Sequence, residues 1–141
     1  AGIHIRGIAS WHDDAQGAKR GPNTCFFIQA EGLTIAHLGD LGEMPNEQLA
    51  EALKTADIML LPVGGHYTID AEQAAAIVRA SGARIAIPMH YRNSLGGYDV
   101  IATVDGFAEL MSPPAPSRQP LLRVTKEDLS EQPRCVILDI V

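Results

Sequence analysis

The sequence has few of the features that mark several common protein classes. Its 141 residues include two cysteines, one Trp, three Tyr and three Phe. No apolar run approaches the roughly 20 residues that cross a bilayer, and no basic-then-apolar leader opens the chain. The formal net charge of −6 argues against a nucleic-acid partner, because such binding relies on clustered Lys and Arg. These absences predict a cytoplasmic protein that binds neither nucleic acid nor membrane.

The composition present is that of a folded domain, with 46% hydrophobic and 20% charged residues. The length predicts one domain over residues 1–141, with a Pro-rich exposed connector at 112–120. Cys25 and Cys135 each lie in an apolar run, which favours buried free thiols over a disulfide. A strand-like segment begins almost at Ala1. Either an initiator Met has been removed, or the chain was cut from a longer protein.

The hydrophobic pattern predicts a layered α/β fold. A tight turn at Glu31 and Gly32 joins two strands as a hairpin. Asp70 and Gln73 predict a capping box at the start of a helix that Gly82 ends. The predicted strands cover 3–9, 24–30, 33–38, 58–63 and 84–88, with helices at 49–56, 70–82 and 104–111. A terminal strand pair is predicted at 121–124 and 135–141.

Three polar residues follow predicted strands at their carboxyl ends: His12, Asp40 and His90. Strand ends are where the loops of catalytic sites converge in sheet proteins with helical crossovers. Two imidazoles and a carboxylate suit zinc or another borderline divalent ion. The same residues are also compatible with a solvated loop histidine, a turn-capping aspartate and a strand-end histidine.

Four segments around these residues occur in a fixed order. They read SWHD at 10–13, HLGD at 37–40, PVGGH at 62–66 and PMHY at 88–91. Together they resemble the second half of the metallo-β-lactamase superfamily, in the branch of ascorbate-phosphate-lactonase-like hydrolases. The resemblance extends from about residue 3 to residue 91, and its most specific parts are Gly39-Asp40 and Met89-His90-Tyr91.

The resemblance implies half of a four-layered αββα sandwich, a mixed sheet with helices on one face. It implies that His12 completes the first metal site, that Asp40 bridges two metals and that His90 is the last ligand of the second metal. The implied activity is metal-dependent hydrolysis, in which a metal-bound hydroxide attacks an ester, lactone or phosphoester. Zinc is the expected ion, and manganese or iron accept the same ligands.

The chain departs from the family in lacking a His-x-His-x-Asp-His segment. No two of its five histidines lie two residues apart. We therefore expect a fragment or subunit of a hydrolase, with at most three ligands for a weak mononuclear site and no assigned catalytic residue. Its bare apolar sheet face predicts pairing with a second copy or with a separately encoded first half.

Other polar residues have two interpretations each. His37 is expected to face away from Asp40, as a packing residue or a support for the metal ligands. His66 is either a substrate contact or an ordinary loop residue. Arg20 either meets an anionic substrate or belongs with Asp13 to a solvated loop.

Two other functions compete with the hydrolase hypothesis. The first is a non-catalytic truncated domain used for binding or assembly. The second is a flavodoxin-like binding domain, against which the early hairpin and the lack of a Gly-rich phosphate loop both argue.

Overall fold

One mixed sheet organises the fold. A computed structural model describes residues 2–140, and within them seven strands lie in the order β1-β2-β3-β4-β5-β7-β6. In chain order the elements are β1 (His4–Trp11), β2 (Pro22–Ala30), β3 (Leu33–His37), α1 (Glu47–Leu53), β4 (Ile58–Pro62), α2 (Ala71–Ala80), β5 (Ile85–Met89), α3 (Asp105–Leu110), β6 (Ser117–Gln119) and β7 (Arg134–Leu138).

The sheet changes from antiparallel to parallel at β3. Strands β1, β2 and β3 pair antiparallel, whereas β3, β4, β5 and β7 run parallel. The predicted hairpin is confirmed: Glu31 and Gly32 have φ of 51° and 76°, the two positive values of a type I′ turn. Since β1 and β3 flank β2, their carboxyl ends lie at the same edge as those of β4 and β5.

The helices pack on one face of the sheet, as the family resemblance implies. Leu49 of α1, Val78 of α2 and Phe107 of α3 join Met59 and Leu61 of β4 in one buried cluster. Cys25 and Cys135 are buried there as free thiols, which confirms that prediction. No helix within residues 2–140 is both long and apolar enough to cross a membrane.

Helix α2 begins with the predicted capping box. The Asp70 side chain accepts the Gln73 N–H, and the Gln73 side chain accepts the Asp70 N–H. Gly82 acts differently from the usual helix-ending glycine, because the helix ends at an extended Ser81. A Cβ on Gly82 would lie 2.3 Å from the Lys54 carbonyl oxygen, so glycine is required for close approach to the end of α1.

The predicted terminal strand pair is wrong. Strand β7 pairs in parallel with β5 and with β6, and β6 lies within the predicted connector at 112–120. Residues 121–124 form no strand, because Leu122 and Val124 instead pack across the sheet. The prediction extends to Val141, which lies outside the described residues.

The face opposite the helices is covered unevenly. Ile58, Ile85, Ile87 and Val136 form a second buried cluster beneath residues 122–129. The strand register places Ile5 and Phe26 on this same face at the β1–β2 end, where they are 64% and 44% exposed. This apolar area has no cover within the described part of the chain.

Asp57 ties the covering segment to the sheet. One carboxylate oxygen accepts the Thr34 N–H at 2.8 Å, and the other accepts Lys126 Nζ at 2.7 Å. The Asp57 side chain is 15% exposed and that of Lys126 is 53% exposed. Loss of the carboxylate would therefore leave a backbone N–H unpaired, whereas loss of the ammonium would remove a surface ion pair.

Asp57→Ala is therefore expected to lower the free energy of unfolding by about 1–3 kcal/mol, the cost of an unpaired buried donor. Lys126→Ala is expected to lower it by less than about 1 kcal/mol. Urea denaturation of both variants measures the difference. Equal losses would show that the ion pair, and not the Thr34 hydrogen bond, carries the effect of Asp57.

Candidate metal centre

Three of the strands bring the predicted ligands to one edge of the sheet. His12 follows β1, Asp40 follows β3 and His90 follows β5. The His12 Nε2 atom lies 4.0 Å from Asp40 Oδ2, and the His90 Nε2 atom lies 3.9 Å from Asp40 Oδ1. The fold therefore gathers three residues that are 28 and 50 positions apart in sequence.

The distance within each imidazole–carboxylate pair is close to that expected for two ligands of one divalent ion. Two ligand bonds of about 2.1 Å at a tetrahedral angle place their donors about 3.4 Å apart, so each observed pair is about half an ångström wider. The His12 Nε2 atom is buried without a hydrogen-bond partner. A buried imidazole nitrogen without a partner is costly unless something coordinates it, so His12 fits the role of a metal ligand.

The arrangement differs from the expected single site with three ligands. Within residues 2–140, no three His, Cys, Asp or Glu side chains are gathered around one possible ion position. Each imidazole instead faces a different oxygen of Asp40. The two imidazoles therefore share Asp40 as a neighbour, each through a different carboxylate oxygen.

His90 has a strained backbone conformation, and the loop after β4 packs closely against it. His90 has φ of 53°, a left-handed value that is uncommon for a residue with a side chain. A Cβ on Gly64 would lie 2.2 Å from the His90 carbonyl oxygen. Only glycine therefore allows the loop after β4 to contact this residue so closely.

A second glycine joins the Asp40 loop to His12. The Gly42 N–H donates to the Trp11 carbonyl oxygen at 2.9 Å. A Cβ on Gly42 would lie 2.3 Å from the His12 carbonyl carbon. The backbone of this loop thus rests directly on the backbone of His12.

A cavity of about 590 Å3 opens beside Asp40 and His90. Phe26, which lies on the uncovered sheet face, forms part of its wall, and so does His37. His37 lines this cavity together with Asp40, and the prediction that it faces away from Asp40 stays a prediction. His37 Nδ1 accepts the Gly39 N–H at 3.1 Å, so the neutral ring carries its proton on Nε2.

Arg20 and His66 lie near the predicted ligands, and their contacts differ. Arg20 Nε donates to the His12 carbonyl oxygen at 2.8 Å, and its guanidinium carbon lies 6.0 Å from the centre of the Tyr67 ring. His66 is exposed, has φ of 61° and packs edge-on against Tyr67 at 4.5 Å. Arg20 thus contacts the backbone of a predicted ligand, whereas His66 lies on the neighbouring loop.

Comparison with known proteins agrees with this arrangement. The family model described as Beta-lactamase superfamily domain matches residues 1–90, a stretch that contains His12, Asp40 and His90. The chain therefore belongs to the β-lactamase superfamily, which confirms the resemblance seen in the sequence.

Three relatives illustrate the similarity. A UPF0173 metal-dependent hydrolase of Thermoplasma acidophilum is 37% identical over 64% of this chain and 40% of its own length. One of Staphylothermus marinus is 32% identical over 81% of this chain and 47% of its own length. A Thermotoga maritima structure, proposed to be a zinc-dependent hydrolase of the metallo-β-lactamase superfamily, has a TM-score of 0.80 at 28% identity, covering 96% of this chain and 64% of that one. The chain spans less than half the length of the first two relatives.

Asp13 is a structural residue that the sequence analysis placed wrongly on a solvated loop. Its side chain is fully buried. One carboxylate oxygen accepts the N–H groups of Ala15 and Gly17, both at 2.8 Å, and the other accepts those of Lys19 and Arg20 at 2.9 and 2.7 Å. The signal in the sequence was an aspartate directly before a Gly-containing loop, a position where Asp binds downstream backbone.

These contacts also set the charge state of Asp13. Burial by itself raises the pKa of the carboxyl group, but the backbone N–H groups, that of Arg20 foremost, hold its pKa well below the usual range. The ionised carboxylate therefore fixes the loop that joins His12 to Arg20.

Asp13→Asn is expected to lower the stability at pH 7 and to flatten its dependence on pH. Because the folded-state pKa is depressed, the contribution of Asp13 is fully present above its unfolded-state pKa of about 3.9. It is lost as pH falls through the folded-state value. The loss begins below the unfolded-state value, and urea denaturation between pH 7 and pH 3 measures this first part of it.

The control is Asp14→Asn, which removes an exposed ion pair with Lys19. We expect that variant to remain close to the unsubstituted chain at pH 7. An Asp13→Asn variant with the same acid dependence as the unsubstituted chain would contradict the assignment.

Proposed function

We propose that this chain is one half of a metal-dependent hydrolase site, in which Asp40 bridges two divalent ions and His12 and His90 each bind one of them. One observation carries the proposal. The two oxygens of a single carboxylate face two different imidazole Nε2 atoms, at 4.0 and 3.9 Å. A carboxylate that formed only an ion pair would need one imidazole neighbour, whereas Asp40 has one at each oxygen.

Zinc is the ion that we propose. Nitrogen ligands with a carboxylate suit it well, and manganese or iron accept the same set. The buried His12 Nε2 without a partner supports coordination at that atom. The names of the two UPF0173 relatives, which call them metal-dependent hydrolases, support a divalent metal.

The chemistry that such ions supply is activation of water for attack on an ester, lactone or phosphoester, the class of small-molecule substrate that we propose. The residues of this chain would then bind and orient the substrate. Arg20, whose Nε donates to the His12 carbonyl oxygen, would meet an anionic group of the substrate. His37, which lines the cavity and accepts the Gly39 N–H at Nδ1, would contact the substrate, and His66 would give a further polar contact at the exposed loop.

The other half of the site would come from a segment with the His-x-His-x-Asp-His pattern. Two observations support this. The uncovered face around Ile5 and Phe26 adjoins the cavity beside Asp40, and the chain spans less than half the length of its UPF0173 relatives. A second copy would cover the apolar face but would bring no such pattern, so we propose a complementing first half. The compartment that we propose is the cytoplasm.

Zinc binding by the chain and its variants tests the proposal. The chain is equilibrated with zinc, bound metal is measured by mass spectrometry and the melting temperature is recorded. We expect zinc to raise the melting temperature, because a ligand that binds only the folded state stabilises it. His12→Ala, Asp40→Asn and His90→Ala are each expected to weaken binding by at least about tenfold.

His4→Ala is the matched control, since His4 is exposed at the start of β1. Its zinc affinity is expected to equal that of the unsubstituted chain. If the three ligand variants bound zinc as the control does, or if the chain bound none, the ligand assignment would fail. A non-catalytic domain used for binding or assembly would then be the better account.

A further inference from the structure

We propose that Asn23 is a positioning residue that fixes Asp40 relative to His12. This inference rests on the proposed function, in which those two side chains bind the same ion. Asn23 itself lies on β2 and touches neither the His12 nor the Asp40 side chain through any hydrogen bond of the described chain. Its role would be to hold the backbone from which they project.

The sheet creates the need for such a residue. His12 and Asp40 follow β1 and β3, and β2 lies between these strands. Adjacent strands are about 4.8 Å apart, so the backbones of β1 and β3 are separated by roughly twice that distance within the sheet. The hydrogen bonds between the strands do not extend past the strand ends. There, the Gly42 N–H to the Trp11 carbonyl oxygen is a backbone hydrogen bond between the two segments. To bind one ion, the His12 and Asp40 side chains must nevertheless be positioned to within about 0.5 Å.

The Asn23 carboxamide makes three contacts across this gap. Its Nδ2 donates to Ser10 Oγ on β1 at 2.9 Å and to the Leu38 carbonyl oxygen after β3 at 2.9 Å. Its Oδ1 accepts the Asp40 N–H at 2.9 Å. Ser10 is two residues before His12, so one side chain links the two segments that carry the ligands.

The partners permit only one orientation of the amide. The Leu38 carbonyl can only accept a hydrogen bond and the Asp40 N–H can only donate one, so Nδ2 and Oδ1 cannot be exchanged. Gly39 adds a steric fit. It has φ of 59°, and a Cβ there would lie 2.6 Å from Asn23 Oδ1. The turn that leads to Asp40 is therefore shaped around the Asn23 side chain.

Asn23→Ala tests the inference, with Asn46→Ala as its matched control. Asn46 caps α1, where its side chain accepts the Leu49 N–H at 2.9 Å. Both variants lose an asparagine that binds backbone, but only Asn23 lies between the ligand segments. A merely structural role would lower the melting temperature in both and would leave zinc binding alike.

Two measurements distinguish the variants. In the metal-free chain, we expect the Asp40 amide to exchange its hydrogen about tenfold faster in Asn23→Ala and to be unchanged in Asn46→Ala. For zinc, we expect affinity to fall about 10- to 100-fold in Asn23→Ala, as for residues that orient metal ligands. Asn46→Ala should keep its affinity. Ser10→Ala, which removes one of the three contacts, should give a smaller loss than Asn23→Ala and serves if Asn23→Ala fails to fold.

Unchanged Asp40 exchange in Asn23→Ala, or a zinc affinity no lower than that of Asn46→Ala, would overturn the inference. The exchange measurement needs no metal, so it decides the role of Asn23 even if the chain binds no zinc. Failure of the proposed function appears elsewhere, as zinc binding that is unaffected by the three ligand substitutions.

Discussion

The structure around this site depends on the Asp40 carboxylate, whose two oxygens face imidazoles from two different strands. That arrangement requires three chain segments, far apart in sequence, to end at one edge of the sheet. The antiparallel hairpin and the parallel strands that follow it provide this, because β1, β3 and β5 all point the same way. The sheet topology is thus what brings these three side chains together.

Two features at this edge of the sheet lower the stability of the fold. His90 has a left-handed backbone, and His12 Nε2 is buried without a hydrogen-bond partner. Both features raise the free energy of the folded chain unless another interaction offsets them. Gly42 and Gly64 permit backbone contacts that any side chain would block. Coordination of an ion would satisfy the imidazole nitrogen, so the costs are understandable in a site prepared for metal.

Sequence reasoning succeeded where the pattern is local and failed where long-range contacts decide. The strands that carry His12, Asp40 and His90 follow from hydrophobic runs and turn residues, and a shared family pattern pointed to those three residues. The burial of Asp13 depends on N–H groups of a folded loop, which no periodicity reveals. The place of β7 beside β5 depends on a pairing across more than 40 residues.

The central claim is that this chain carries half of a two-metal centre. The most direct test is the metal content and ion–ion distance, by X-ray absorption, of the chain assembled with a first half that contains the His-x-His-x-Asp-His pattern. The account predicts two ions per assembly, about 3.5–4 Å apart, and loss of the short ion–ion distance in Asp40→Asn. A single ion, or two ions at that distance that persist without the Asp40 carboxylate, would contradict it.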